Sequence, residues 1–120
     1  MKKAVILFGH GSRDPAWRQP IEAVCSRLRR DSPELEVRCA YLELTEPDLP
    51  STIEELVAVG VDDVRVVPMF LGTGRHARED LPRIVDRERE KHPGVRFDLR
   101  QAVGEDPRLL ELLAHIAAKD

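Results

Sequence analysis

The chain has 120 residues, 42% of them hydrophobic, with 19 basic against 22 acidic side chains and a net charge of -3 at pH 7. That length suffices for a single domain over residues 1–120 that buries about two-thirds of the surface its unfolded form exposes. The charges are interspersed, with no basic stripe to follow a phosphate backbone, so no nucleic-acid partner is expected.

At the N-terminus, Met1-Lys2-Lys3 before Ala4 to Phe8 imitates a signal peptide, but the apolar stretch stops at Gly9 and is too short for one. No other apolar run approaches the ~20 residues of a bilayer span, so the reading is of a soluble, cytoplasmic chain with no membrane partner. In order, hydrophobic periodicity predicts a strand over 3–8, a helix over 14–30, a strand over 36–42 and a helix over 50–59. A strand over 64–70, a helix over 75–92, a strand over 95–101 and a helix over 107–119 follow. Strict alternation of this kind predicts an α/β fold, one three-layer domain with a parallel sheet flanked by helices.

Helix ends carry their usual chemistry. Asp14-Pro15 and Asp106-Pro107 mark starts, Pro50 sits in a first turn, and His92-Pro93-Gly94 marks a stop. Ile21, Val24, Cys25 and Leu28 form an apolar stripe for the core, and Leu109, Leu110, Leu113, Ile116 and Ala117 form a wider one that also suits a subunit contact. Cys25 and Cys39 fall on apolar phases outside any Cys-x-x-Cys pattern, which reads as buried, reduced thiols. His92 at its helix end and His115 beside the last stripe read as structural.

Burial pattern also predicts the order of the strands. Ala4 to Phe8 and Val64 to Leu71 are nearly continuous apolar runs, as central strands are, whereas 35–41 and 95–99 alternate as edge strands do. With right-handed crossovers the simplest order is 2-1-3-4, whose topological switch point lies between strands one and three. Both of those strands lead into a histidine: His10 in Gly9-His10-Gly11-Ser12-Arg13, and His76 in Gly72-Thr73-Gly74-Arg75-His76. Open α/β sheets bind ligands at the switch point, so two imidazoles there predict a metal or proton-transfer site.

Glu43, at the same carboxyl edge after strand two, is the third candidate, able to accept a proton or hold a metal transiently. Gly9, Gly11, Gly72 and Gly74 are expected to permit positive φ and let a large flat ligand approach the backbone. Ser12 with the start of the first helix, and Arg13, Arg75 and Arg78 on the same rim, point to an anionic ligand. Trp17 near the first loop either caps the core or stacks on a planar ligand.

The segments Leu7-Phe8-Gly9-His10-Gly11-Ser12-Arg13-Asp14-Pro15 and Val67-Pro68-Met69-Phe70-Leu71-Gly72-Thr73-Gly74-Arg75-His76-Ala77-Arg78-Glu79-Asp80-Leu81-Pro82 resemble the two signatures of the short CbiX proteins. Those are class II tetrapyrrole chelatases, the sirohydrochlorin cobaltochelatases of the anaerobic cobalamin pathway. The resemblance implies a chelatase-like fold and insertion of divalent cobalt into sirohydrochlorin without ATP or an organic cofactor. It implies catalysis and metal handling by His10 and His76, with Glu43 matching an acidic residue of related chelatases, and a symmetric homodimer, since longer relatives carry two such units in one chain. Arg75 departs from the small residue expected before the second histidine.

Nickel or iron fits the same ligand set, which does not select cobalt by itself. A phosphohistidine phosphatase is the alternative from another reaction class, but Gly9 stands where its Arg-His-Gly signature needs arginine. A metal- or tetrapyrrole-binding module without turnover is the non-enzymatic alternative.

Overall fold

Alternating burial along the strands builds two cores on one sheet. In the computed structural model, which describes residues 1–119, the strands are β1 (Lys3–Gly9), β2 (Glu36–Tyr41), β3 (Asp63–Pro68) and β4 (Arg96–Leu99). They form one parallel sheet in the order β2-β1-β3-β4, as the apolar runs predict. The helices are α1 (Gln19–Asp31), α2 (Leu49–Ala58), α3 (Arg75–Lys91) and α4 (Pro107–Ala118). None is long and apolar enough to cross a membrane.

Side chains of successive strand residues point to opposite faces, which sorts the core into two clusters. Ala4, Ile6, Phe8, Ala40, Val64, Val66 and Phe97 face one way, against Leu49, Ile53 and Leu56 of α2 and Ala77, Leu81 and Val85 of α3. Val5, Leu7, Val37 and Tyr41 face the other way, against Ile21 and Cys25 of α1. Val24, expected on the buried stripe of α1, is instead 40% exposed, because it lies at the margin of the face that α1 turns to the sheet.

The first predicted helix is broken in two. Residues Pro15–Arg18 form a 3-10 turn before α1 begins at Gln19, and the carboxylate of Asp14 accepts the Ala16 N–H at 3.0 Å. Asp48 and Asp106 cap α2 and α4 in the same way, through the N–H groups of Ser51 and Arg108. Strand boundaries move inward at β2 and β4, which end at Tyr41 and Leu99 rather than 42 and 101. These edge strands have one partner each.

The wide stripe of α4 is not core. No residue of α4 is buried, and Leu110, Leu112 and Ile116 are 51–60% exposed. Arg65, which pairs with Asp98 at 3.3 Å, and Val67 border a cavity of about 840 Å³ that reaches the start of α4 at Pro107 and Arg108.

Both cysteines are free, Cys25 buried and Cys39 half-buried. Burial first, and then the adjacent Cys25 thiol, pushes the Cys39 thiol up to about 12 from an ordinary 9.0. Burial does the same to the Tyr41 hydroxyl, helped by Cys39. Folded and unfolded chains are both protonated here below pH 9, so the stabilisation is complete there. Above it the unfolded chain releases the proton that the folded chain keeps until about pH 12, and stability falls across that window. The urea midpoint is therefore expected to drop between pH 9 and 11, and to drop less steeply in Cys39→Ala; identical slopes would contradict this assignment.

Candidate active site

The parallel sheet brings the ends of β1, β2 and β3 to one edge, and the predicted residues occupy that edge. His10 follows β1 directly, Glu43 lies two residues beyond β2, and His76 is the second residue of α3. The backbone fixes the first two against each other. The Leu42 N–H donates to the Gly9 carbonyl at 3.0 Å and the Glu43 N–H to the His10 carbonyl at 3.1 Å, continuing the β1–β2 pairing past the strands.

Across that extension the side chains meet, with His10 Nε2 at 3.0 Å from Glu43 Oε1. Both are about half exposed, so the pair is open to a ligand from solvent. A carboxylate at Nε2 favours the tautomer with its proton on that nitrogen, which leaves the Nδ1 lone pair available to a metal.

His76 is exposed in the first turn of α3, and no hydrogen bond or ion pair joins it to His10 or Glu43. Among the described residues, the grouping of three His, Cys, Asp or Glu donors within 4.8 Å of one another lies elsewhere, at Glu54, Glu88 and His92. The geometry thus joins two of the three catalytic candidates and leaves the third separate on the same edge.

The glycines divide. Gly11 has φ +107°, and a Cβ there would run into the Glu43 carbonyl oxygen, so both conformation and space require glycine. At Gly9 a Cβ would meet Ile21 at 2.7 Å, with the Tyr41 and Trp17 rings just beyond. Gly72 and Gly74 depart from expectation: neither has positive φ and a Cβ would meet nothing within 4 Å. Their loop is open rather than narrow. Leu44, next to Glu43, adopts φ +66°, a left-handed conformation uncommon for a branched side chain.

Ser12 is engaged locally, its hydroxyl oxygen accepting the Asp14 N–H at 3.1 Å. Asp14 caps the short turn that follows, while Ser12, accepting through its oxygen, keeps its hydroxyl proton to donate. Arg13 and Arg78 are exposed, while Arg75, 81% exposed, pairs with Glu79 at 3.1 Å one helical turn on. Exposed pairs of this kind contribute only about 0.3–0.5 kcal/mol, so Arg75 can exchange Glu79 for another anion. Trp17 packs edge-on against Tyr41 with ring centroids 6.2 Å apart, and is 39% exposed.

Sequence reasoning missed Arg18, which donates to the Thr45 hydroxyl at 3.0 Å and so ties the short turn to the loop carrying Glu43. Nothing in the spacing of residues 18 and 45 signals it. Two cavities flank the edge, one of about 400 Å³ with Glu43 and Tyr41 in its wall, the other of about 300 Å³ between Phe70, Gly72, Thr73 and Arg78.

A family model described as CbiX matches residues 4–119. The chain is 32% identical over 112 residues to a sirohydrochlorin cobaltochelatase of Priestia megaterium, covering 92% of this chain and 36% of that protein. It is 30% identical over 115 residues to a sirohydrochlorin ferrochelatase of Bacillus subtilis, covering 96% of this chain and 44% of that one. The chain thus spans less than half the length of these two relatives. The crystal structure of a putative cobalamin biosynthesis CbiX protein from Marinobacter aquaeolei superposes with a TM-score of 0.82 at 32% identity, over 96% of this chain and 93% of that one.

Proposed function

The chain belongs to the CbiX family, and on that premise we propose that it is a chelatase inserting a divalent metal, cobalt first and iron or nickel as alternatives, into sirohydrochlorin. The reaction runs without ATP or an organic cofactor, in the cytoplasm, as a step of cobalamin synthesis. The observation that carries the reading is the 3.0 Å contact of His10 with Glu43 at the carboxyl edge of β1 and β2, beside the switch point of the sheet. The naming of relatives for both cobalt and iron supports the reaction and leaves the choice of metal to experiment.

Insertion must strip water from the metal, remove two pyrrole protons and bring the ion into the macrocycle plane. His10, with Glu43 on Nε2, offers Nδ1 to the incoming ion, and His76 offers a second imidazole from the start of α3. As pyrrole nitrogens replace the imidazoles, Glu43 or a freed histidine accepts the protons. Arg13, Arg75 and Ser12 hold peripheral carboxylates of the macrocycle, and the backbone at Gly9, Gly11, Gly72 and Gly74 lies beneath it.

An anaerobic assay tests this: protein with sirohydrochlorin and cobalt, ferrous iron or nickel, followed by the shift of the macrocycle absorption band. Multiple turnovers above a protein-free control are expected. No acceleration with any metal overturns the reading, and stoichiometric binding without turnover replaces it with a non-catalytic module.

We further propose a symmetric homodimer in which the exposed apolar side of α4 is covered by a second copy. The support is the unburied Leu110, Leu112 and Ile116. Sedimentation velocity is expected to give a dimer, and Leu112→Glu with Ile116→Glu a folded monomer. A monomeric wild type removes this part of the proposal.

A further inference from the structure

At the opposite end of α3 from His76 lies a second cluster of donors. Glu88 and the capping residue His92 stand one turn apart on the same side of α3, and Glu54 faces them from α2. His92 Nε2 is 3.0 Å from Glu54 Oε1, and the ligand atoms of all three residues lie within 4.8 Å of one another. Sixteen residues of helix rise separate His92 from His76, about 24 Å at 1.5 Å per residue, so this cluster is no part of the carboxyl-edge site.

Glu88 needs an explanation that the protein alone does not supply. It is 1% exposed, and neither carboxylate oxygen has a hydrogen-bond partner. A buried carboxylate without hydrogen bonds is among the most costly groups a fold can carry, and an ion is one of the few things that removes the cost. The Lys91 ammonium lies 3.4 Å from its Oε2, and the Glu54 carboxylate is a second charge close by. The lysine contact is not a hydrogen bond, and Lys91 is 58% exposed, so its head can turn into solvent.

We propose that Glu54, Glu88 and His92 bind a first-row divalent transition metal that joins α2 to α3 and displaces Lys91. Two carboxylate oxygens and one imidazole nitrogen suit zinc, cobalt or nickel better than calcium or magnesium, which take oxygen donors alone. Water completes the coordination from the exposed side, where Glu54 lies. The site is structural in role: it neutralises Glu88 and fastens together the two helices that cover one face of the sheet.

The test separates this site from the carboxyl edge by using His10→Ala/His76→Ala protein, stripped with a chelator and titrated with Co²⁺ and then Zn²⁺. One ion per chain, a Co²⁺ ligand-field band and a raised melting temperature are expected. Glu54→Gln and His92→Gln, both outside the deep core, are each expected to weaken binding at least tenfold, and Lys91→Ala to tighten it. These substitutions keep the test independent of whether a Glu88 variant folds. Absence of saturable binding, or binding unaltered by Glu54→Gln and His92→Gln, overturns the proposal whatever the insertion assay gives.

Discussion

His10→Ala is expected to lower the rate of metal insertion by about 10²–10⁴-fold, the range over which a positioned side chain contributes to proton transfer. The residue is about half exposed, pairs with Glu43 and belongs to neither core cluster, so removing the ring leaves no cavity in either core and should leave the melting temperature nearly unchanged. The loss would then be chemical rather than structural. His10→Gln refines the result, because its amide extends to about where Nε2 sits beside Glu43 but presents no imidazole nitrogen to the metal. On the proposed role, the glutamine variant is as slow as alanine. Anaerobic initial rates with sirohydrochlorin and cobalt, alongside circular dichroism of each variant, decide it; wild-type rates in folded His10→Ala would remove His10 from the mechanism.

The same pair shows how far the sequence could be read. The apolar continuity of Ala4 to Phe8 reports burial on both faces, and Val64 to Leu71, broken at Arg65 and Pro68, is more continuous than the alternating strands though half-buried on its second face; that contrast orders the sheet and brings the ends of β1 and β3 to one edge. Glu43 was legible only as a position after a strand. Its contact with His10 depends on backbone pairing that continues beyond Tyr41, and on a residue at Leu44 turning left-handed, neither of which leaves a periodic signal. His76 shows the limit of reading by spacing. The direction of a side chain in the first turn of a helix depends on how the loop before it docks that helix, and here the imidazole is not brought to the Glu43 carboxylate.

The stripe of α4 was equally visible, but periodicity reports only that a face is apolar, not which chain covers it. Glu88 is the converse case. Its four-residue spacing to His92 was present in the sequence, yet a helical glutamate reads as solvated until packing shows it buried without a partner.

Gly11→Ala is expected to have a large effect for a single added methyl group. Two costs combine there. At φ +107° an L side chain is strained by about 1–3 kcal/mol, and the new Cβ is driven into the Glu43 carbonyl oxygen. Relief requires the loop at Glu43 to move away from β1, and that movement breaks the Glu43 N–H to His10 carbonyl bond of 3.1 Å along with the side-chain contact it supports. Arg18 and Thr45 resist the shift through their own 3.0 Å bond, so the strain is divided between the loop and the turn before α1 rather than dissipated at one hinge. A fall of roughly 2 kcal/mol or more in urea stability should therefore accompany a loss of insertion rate as large as that of Glu43→Ala. Gly94→Ala is the control, since a Cβ there meets nothing within 4 Å. A Gly11→Ala protein with wild-type stability would show that the close approach of the two loops is not maintained in solution. One destabilised but fully active would show that the His10–Glu43 contact is dispensable to the chemistry.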